Sequence, residues 1–206
     1  ELDGVLLADA EGALWTSAML EGLRVDKAPE LDRIVVGLDP ATTSGSGSDE
    51  CGIVVVGAMT RGPVQDWRAF VLGDASVQGA TPTGWARAAI AAMTQFGADR
   101  LVAEVNQGGQ MVGEVLRGVD PLVPVKSVHA SKGKVARAEP VAALYEQGRV
   151  HHVRGLDALE DQMCRMTARG YEGGGSPDRV DALVWALHEL MIVPAAKWRA
   201  PGVRSL

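Results

Sequence analysis

The sequence predicts one α/β domain, a mixed sheet flanked by helices, and two features of the apolar pattern carry that prediction. Three apolar runs at 33–39, 52–59 and 64–72 are separated by turn-forming residues and read as consecutive antiparallel strands. From residue 83 onward, segments with helical spacing of apolar residues alternate with short runs rich in valine, which adds strands through helical connections. The 206 residues, 47% of them hydrophobic, suffice for a substantial core.

Residues 1–32 read as a lead-in. Leu14, Trp15, Ala18, Met19 and Leu23 recur at helical spacing and predict a short amphipathic helix over 13–23, while 24–32, with Lys27-Ala28-Pro29-Glu30, reads as a linker. The strand at 33–39 ends in a polar turn over 40–48, and the strand at 52–59 ends in Arg61-Gly62-Pro63 before the strand at 64–72. There follow a helix over 83–96, a strand over 100–105, a helix over 110–117, a strand over 123–128, a helix over 134–147, a strand over 149–153 and a helix over 156–168. Gly170-Tyr171-Glu172-Gly173-Gly174-Gly175 predicts a loop, and Pro177 opens a last apolar helix to about residue 191. Three strands followed by alternating helices and strands is the element order of a ribonuclease-H-like sheet.

Composition removes several function classes. No apolar run reaches the roughly 18 residues of a membrane span, and Glu1-Leu2-Asp3-Gly4 lacks the start of a signal peptide, so a cytoplasmic protein without membrane contact is expected. The chain opens without methionine, as a piece of a longer protein would. Cys51 and Cys164 have no metal-ligand spacing and read as reduced thiols. A formal charge of −6 argues against DNA binding by the whole surface but leaves room for a local basic groove.

Acids in apolar surroundings point to chemistry. Asp39 closes Arg33-Ile34-Val35-Val36-Gly37-Leu38-Asp39, Glu104 lies in Leu101-Val102-Ala103-Glu104-Val105, and Asp181 lies in Val180-Asp181-Ala182-Leu183-Val184. Such a carboxylate is costly unless a cation or a hydrogen-bond network takes up its charge. Magnesium and manganese prefer hard oxygen ligands, and two such ions about 3.5–4 Å apart serve phosphodiester cleavage. The element order brings Asp39, Glu104 and Asp181 to one sheet edge, as candidate metal ligands and catalytic acids. Asp178, three residues before Asp181, shares its helix face as a fourth ligand or outer partner. Each has a structural alternative: Asp39 as a turn former before Pro40, Asp178 as an acid at a helix N-terminus, Asp181 as an ion pair with Arg179 or a neighbour. An unpaired Glu104 on a strand covered by helices is the hardest to explain structurally.

A second feature is the basic run Lys126-Ser127-Val128-His129-Ala130-Ser131-Lys132-Gly133-Lys134-Val135-Ala136-Arg137 at a strand-to-helix junction. Lys126, Ser131, Lys132, Lys134 and Arg137 suit phosphate contact there, against the alternative of a solvated loop. Gln107-Gly108-Gly109-Gln110 lets backbone approach a ligand closely, with Gln107 as a further contact. His151 and His152 are adjacent and without a third partner, so they read as strand-edge or surface residues, and Trp185 reads as core. No Gly-x-Ser-x-Gly elbow supports a serine hydrolase.

Val36-Gly37-Leu38-Asp39-Pro40-Ala41, Val102-Ala103-Glu104-Val105-Asn106-Gln107-Gly108-Gly109, Lys132-Gly133-Lys134-Val135-Ala136-Arg137-Ala138-Glu139-Pro140-Val141 and Ser176-Pro177-Asp178-Arg179-Val180-Asp181-Ala182-Leu183-Val184-Trp185-Ala186-Leu187 together resemble the nuclease domain of large terminase subunits, the DNA-packaging motors of tailed bacteriophages and gene transfer agents. The resemblance covers roughly 33–192. It implies a ribonuclease-H-like domain of the resolvase/integrase type, cutting concatemeric double-stranded DNA with two Mg2+ or Mn2+ ions. Asp39, Glu104 and Asp181 match the family's metal-binding acids, and Asp178 falls where relatives carry Asp or His. The phosphate-contact candidates, Gln107 included, then become DNA contacts, and no base-reading motif is visible, so weak sequence preference is expected.

The implied partners are an ATPase domain of the same full-length protein, a portal and a small terminase subunit in a bacterial host or producer cell. No Gly-x-x-x-x-Gly-Lys-Ser/Thr occurs in the sequence. The resemblance therefore makes 1–32 the tail of an ATPase-to-nuclease connection, 33–192 the nuclease and 193–206 a C-terminal tail, with no ATP hydrolysis in this piece. Two alternatives stand beside it. Gly37-Leu38-Asp39-Pro40-Ala41-Thr42-Thr43-Ser44 loosely resembles the phosphate turn of actin and sugar-kinase phosphotransferases, although the chain is short for their second domain. A DNA-binding or portal-docking module whose acids do not cleave is the other.

Overall fold

The structure, a computed structural model, describes residues 9–40, 50–105 and 109–198. A short helix α1 (Ser17–Gly22) leads to a two-residue strand β1 (Arg24–Val25). The expected meander follows as β2 (Arg33–Asp39), β3 (Glu50–Met59) and β4 (Arg68–Asp74), with β2 and β4 both antiparallel to β3. A short β5 (Val77–Gln78) also pairs with β3. Helix α2 (Pro82–Phe96) returns the chain to β6 (Arg100–Glu104), parallel to β2, and α3 (Gly109–Val119) returns it to β7 (Val125–Val128), parallel to β6. Helix α4 (Lys134–Glu146) crosses to β8 (Val150–Val153), parallel to β4 and to β1. The sheet order is β1-β8-β4-β3-β2-β6-β7. Then come α5 (Asp157–Met163), a hairpin of β9 (Met166–Thr167) and β10 (Gly170–Tyr171), α6 (Asp178–Leu187), a π-helical turn over His188–Ile192 and α7 (Val193–Lys197).

Strand alternation divides the core into two layers. Val35, Val54, Val56 and Val102 point to the layer built on α4, α5 and α6, while Val36, Leu38, Ile53, Val55, Leu101 and Ala103 point to α2 and α3. The sheet is thus covered on both faces, as its parallel strands require. Both cysteines are buried and free, and among the described residues no helix is long and apolar enough to cross a membrane.

Several boundaries differ from those expected. The helix expected over 13–23 starts only at Ser17, because the Thr16 hydroxyl accepts the N–H of Met19 and caps it, while the backbone of Leu14 bonds Met166 instead. The expected linker over 24–32 contains β1, and Trp15 and Leu20 of the lead-in are buried in the α6 layer. The strand expected over 64–72 begins as a 3-10 turn at Val64–Asp66, where the indole N–H of Trp67 bonds Gly62, and becomes β4 only at Arg68. The helix expected over 156–168 stops at Met163, since Met166 and Thr167 pair with Tyr171 and Gly170 and with the lead-in. Gly170 at φ 132° belongs to that hairpin rather than to the expected loop. The last helix widens into the π turn just ahead of Pro194, which has no N–H to donate. The polar turn expected over 40–48 lies, after Pro40, outside the described residues.

Candidate active site

Asp39, Glu104, Asp178 and Asp181 come together from three elements. Asp39 is the last residue of β2, and because Leu38 pairs with Ala103, the next residue on the parallel neighbour β6 is Glu104. Helix α6 lies across β2 and β3 on the same face. Two glycines let it down onto the sheet: a Cβ on Gly37 would stand 2.0 Å from the carbonyl oxygen of Ala182, and one on Gly52 would stand 1.9 Å from that of Asp178. Gly52 is the register partner of Asp39. The first turn of α6, carrying Asp178 and Asp181 at 6% and 3% exposure, is therefore lowered directly beside the end of β2.

Electrostatics report the convergence. The half-buried Asp39 carboxyl is pushed well above the usual aspartate range, first by burial and then by the charges of Asp181, Asp178 and Glu104, with Lys134 pulling the other way. Two cations from the first turn of α4 face the acids. Lys134 binds Oδ2 of Asp181 and lies 2.8 Å from the Ser176 hydroxyl, while Arg137 binds Oδ1 of Asp181 at 2.8 Å and stands 3.5 Å from Oε2 of Glu104. Burial alone would lower the Lys134 ammonium, but the charge and hydrogen bond of Asp181 outweigh it and leave the ammonium above the usual lysine value. Arg137 is itself buried, stacked 4.9 Å from the Trp185 ring centre and bonded to the carbonyl of Lys132. The Trp185 indole N–H donates to Oε2 of Glu104 at 2.6 Å.

Arg179, the neighbour once available to Asp181, turns away. It pairs with Glu50 and Asp74, and its backbone N–H bonds Gln162 at 3.1 Å, which ties the start of α6 to β3, β4 and α5. Asp178 opens onto a cleft of about 270 Å³ whose wall includes Glu50, Gln78, Gly174 and Ser176.

The phosphate-contact candidates separate into groups. Ser131, Lys132 and Lys134 are exposed at the entry to α4. Arg137, expected at phosphate, faces inward, its guanidinium bonded to Asp181 and beside Glu104. Lys126 lies opposite Val102 in β6, two residues from the level of Glu104, and its ammonium bonds Glu189 at 2.5 Å and not the acid cluster. Gln107 falls outside the described residues. The histidines differ too: His152 is fully buried between Tyr145 at 2.7 Å and Glu160 at 3.0 Å, rather than at a surface, and His151 stacks on Phe70. Trp185 is core, as expected, but its hydrogen bond to Glu104 has no signature in an apolar pattern.

Among the described residues no three His, Cys, Asp or Glu side chains stand close enough together to hold one ion. The donor set nevertheless fits a hard divalent cation. It offers only carboxylate oxygens, and both the burial and the neighbouring negative charges that raise Asp39 are costs that a bound cation offsets.

Residues 36–190 match the family described as the terminase RNaseH-like domain. No curated protein matches the chain in sequence. Among solved structures, the chain is similar to the human cytomegalovirus terminase nuclease domain, with a TM-score of 0.63 and 15% identity over 90% of this chain and 99% of that one. It is similar to the large terminase nuclease from thermophilic phage G20c with bound magnesium, with a TM-score of 0.60 and 17% identity over 86% and 97% of the two chains. The nuclease domain of the large terminase subunit of bacterial virus Sf6 gives a TM-score of 0.60 and 14% identity over 85% and 98%. At such identities the likeness speaks for the fold, and the match over 36–190 speaks for ancestry: the chain belongs to the terminase RNase H-like domain family.

Proposed function

We propose that the chain is a metal-dependent endonuclease that cuts double-stranded, concatemeric DNA during viral or phage-like genome packaging. The observation that carries this reading is the convergence of Asp39, Glu104, Asp178 and Asp181 where β2 and β6 end beneath α6, a setting in which burial first and then the charges of the neighbouring acids raise Asp39. The magnesium bound to the G20c nuclease supports a divalent ion for a relative of the same fold. Asp39, Glu104 and Asp181, with Asp178, would hold two Mg2+ or Mn2+ ions. When bound, such ions supply Lewis acidity at the phosphodiester.

The chain's own residues do the rest. The Trp185 N–H fixes one oxygen of Glu104, and the buried Arg137 holds Glu104 and Asp181 in one orientation. Lys134, 44% exposed at the mouth of the site, is placed to donate to a phosphate oxygen. Lys132 and Ser131 extend that contact along the backbone, which gives weak sequence preference because phosphates are alike at every base pair. In the full-length protein an ATPase domain would precede this one, with a portal and a small terminase subunit as partners in the motor.

Incubation of supercoiled plasmid with Mn2+ or Mg2+ should give nicked and linear forms, with the products lost in Asp39→Ala. Undiminished cutting by that variant would sink the proposal. Because Asp181 is already held by Lys134 and Arg137, the non-cleaving reading, a DNA-binding or portal-docking module, makes a distinct prediction: DNA binding with no heat of metal binding in calorimetry.

A further inference from the structure

Positive charge collects at the far end of α6, away from the acids. Three cations from three neighbouring strands meet one carboxylate there: Lys126 of β7 at 2.5 Å, Arg100 of β6 at 3.2 Å and Arg33 of β2 at 3.6 Å from Glu189. Glu189 is buried, whereas the three cations keep 36–42% of their side-chain surface in solvent. A single carboxylate cannot neutralise three charges. The acids nearest in the chain are engaged elsewhere, Asp99 with the backbone N–H of Ile34 at 2.8 Å and Asp32 with Arg61 at 2.7 Å. Lys197 brings a fourth cation to the wall of an open groove of about 460 Å³, whose apolar side is formed by Trp67, Val193, Pro194 and Trp198.

The sheet connects this groove to the acid cluster. Strand β2 runs from Arg33 to Asp39 and β6 from Arg100 to Glu104, so each begins at a cation bound to Glu189, a residue of the groove wall, and ends at the candidate site. At about 3.3 Å per residue the two ends of β2 lie about 20 Å apart. Lys126 stands between them, two residues before Val128, the partner of Glu104, on the strand that ends the sheet order on this side. The same basic segment continues past β7 to Lys132 and to Lys134 on Asp181. A ligand held by the cations at both ends of this distance carries negative charge at intervals along its length. Duplex DNA does so, with a phosphate about every 3.4 Å of rise on each strand, or about six steps in 20 Å.

We propose that the groove around Glu189 is a second contact site for DNA backbone phosphates, engaging the same duplex about six base pairs from the point of cleavage. Arg33, Arg100, Lys126 and Lys197 donate to phosphate oxygens, and the apolar wall lies against the sugars between them. Glu189 tethers three of these side chains and lowers the net charge of the groove without cancelling it. The inference rests on the nuclease reading and deepens it.

The test is binding of a labelled 30-base-pair duplex to the full chain, followed by fluorescence anisotropy over a range of salt concentrations. In Arg100→Ala/Lys197→Ala, affinity at low salt should fall about tenfold or more, and the slope of log affinity against log salt should shrink by about two, one for each phosphate no longer held. Glu189→Gln, which removes the negative charge from the groove, should tighten binding. The single variant Lys197→Glu, which leaves every bond to Glu189 in place, guards against a fold defect in the double variant and should also weaken binding. An unchanged affinity and salt slope in folded variants would overturn the inference, as would polyglutamate competing as well as duplex. A chain that nicks plasmid with Mn2+ while these variants bind DNA like the parent defeats the groove alone. A chain that neither cuts nor binds DNA defeats the nuclease reading.

Discussion

The Cβ that Gly52 lacks would fall 1.9 Å from the carbonyl oxygen of Asp178. Gly52 is also the register partner of Asp39, so one missing side chain lets a helix start and a strand end share a site. Gly52→Ala should push the first turn of α6 off the sheet, at a cost of about 1–3 kcal/mol for overpacking. Urea denaturation measures the cost. Plasmid nicking should fall at least tenfold, roughly the effect of an ångström-scale misplacement of reacting groups.

Asp39 is expected to trade stability for function. Its pKa in the folded chain lies above the usual aspartate value because of burial and the neighbouring acids, so folding takes up a proton as pH rises past that usual value. Metal-free stability therefore declines as pH climbs from the ordinary aspartate range through the raised value. Asp39→Asn removes this loss. Its melting temperature without metal should exceed that of the parent by a few degrees at neutral pH and equal it at acid pH, while excess Mn2+ should stabilise the parent alone.

Lys134 and Arg137 bind the same carboxylate in different surroundings and should respond differently to removal. Lys134 is 44% exposed, and an exposed pair is worth about 1 kcal/mol at most, so Lys134→Met should cost little stability. It should tighten Mn2+ binding in calorimetry about fivefold, because the ammonium no longer competes for Asp181. Arg137→Met leaves Asp181 and Glu104 without their buried partner and should cost about 3 kcal/mol or more in chemical denaturation.

Far from the acids, Glu160 sets an acid limit on the fold. Burial alone would raise its pKa, but hydrogen bonds from His152 and Arg24 hold it down to about 2, against an ordinary value of 4.5. As pH falls through that window the unfolded chain binds the proton first, so the stability from this carboxylate is complete above 4.5 and disappears towards 2. Glu160→Gln should flatten the pH dependence of urea midpoints across the window and lower stability at neutral pH by about 3 kcal/mol.

The parts of the fold that the sequence made legible were those in which one local signal dominates. β2 matches its expected bounds to the residue, since seven residues of alternating layer preference end at Asp39-Pro40. Asp39, Glu104 and Asp181 stood out because charge in an apolar run demands a partner. What stayed hidden depends on contacts between distant segments. β1 is two residues long, and only its pairing with β8 makes it a strand. The inward turn of Arg137 was partly readable, because Lys134 and Arg137 are three apart and share a helix face, yet the basic composition of the segment favoured solvent or phosphate. The roles of Gly37 and Gly52 required knowing which helix crosses which strands, and no local pattern supplies that.

The lead-in has a consequence for how the domain can be isolated. β1 covers the outer margin of β8, and Trp15 lies edge-on to Tyr145 at 5.9 Å, within the layer beneath α6. A chain trimmed to begin at Arg33 would carry a hollow the size of an indole and a bare strand margin, whose N–H and C=O groups would recruit strands from other molecules. The stretch of chain before Arg33 acts as a chaperoning selvedge: it keeps the sheet from being continued by a stranger.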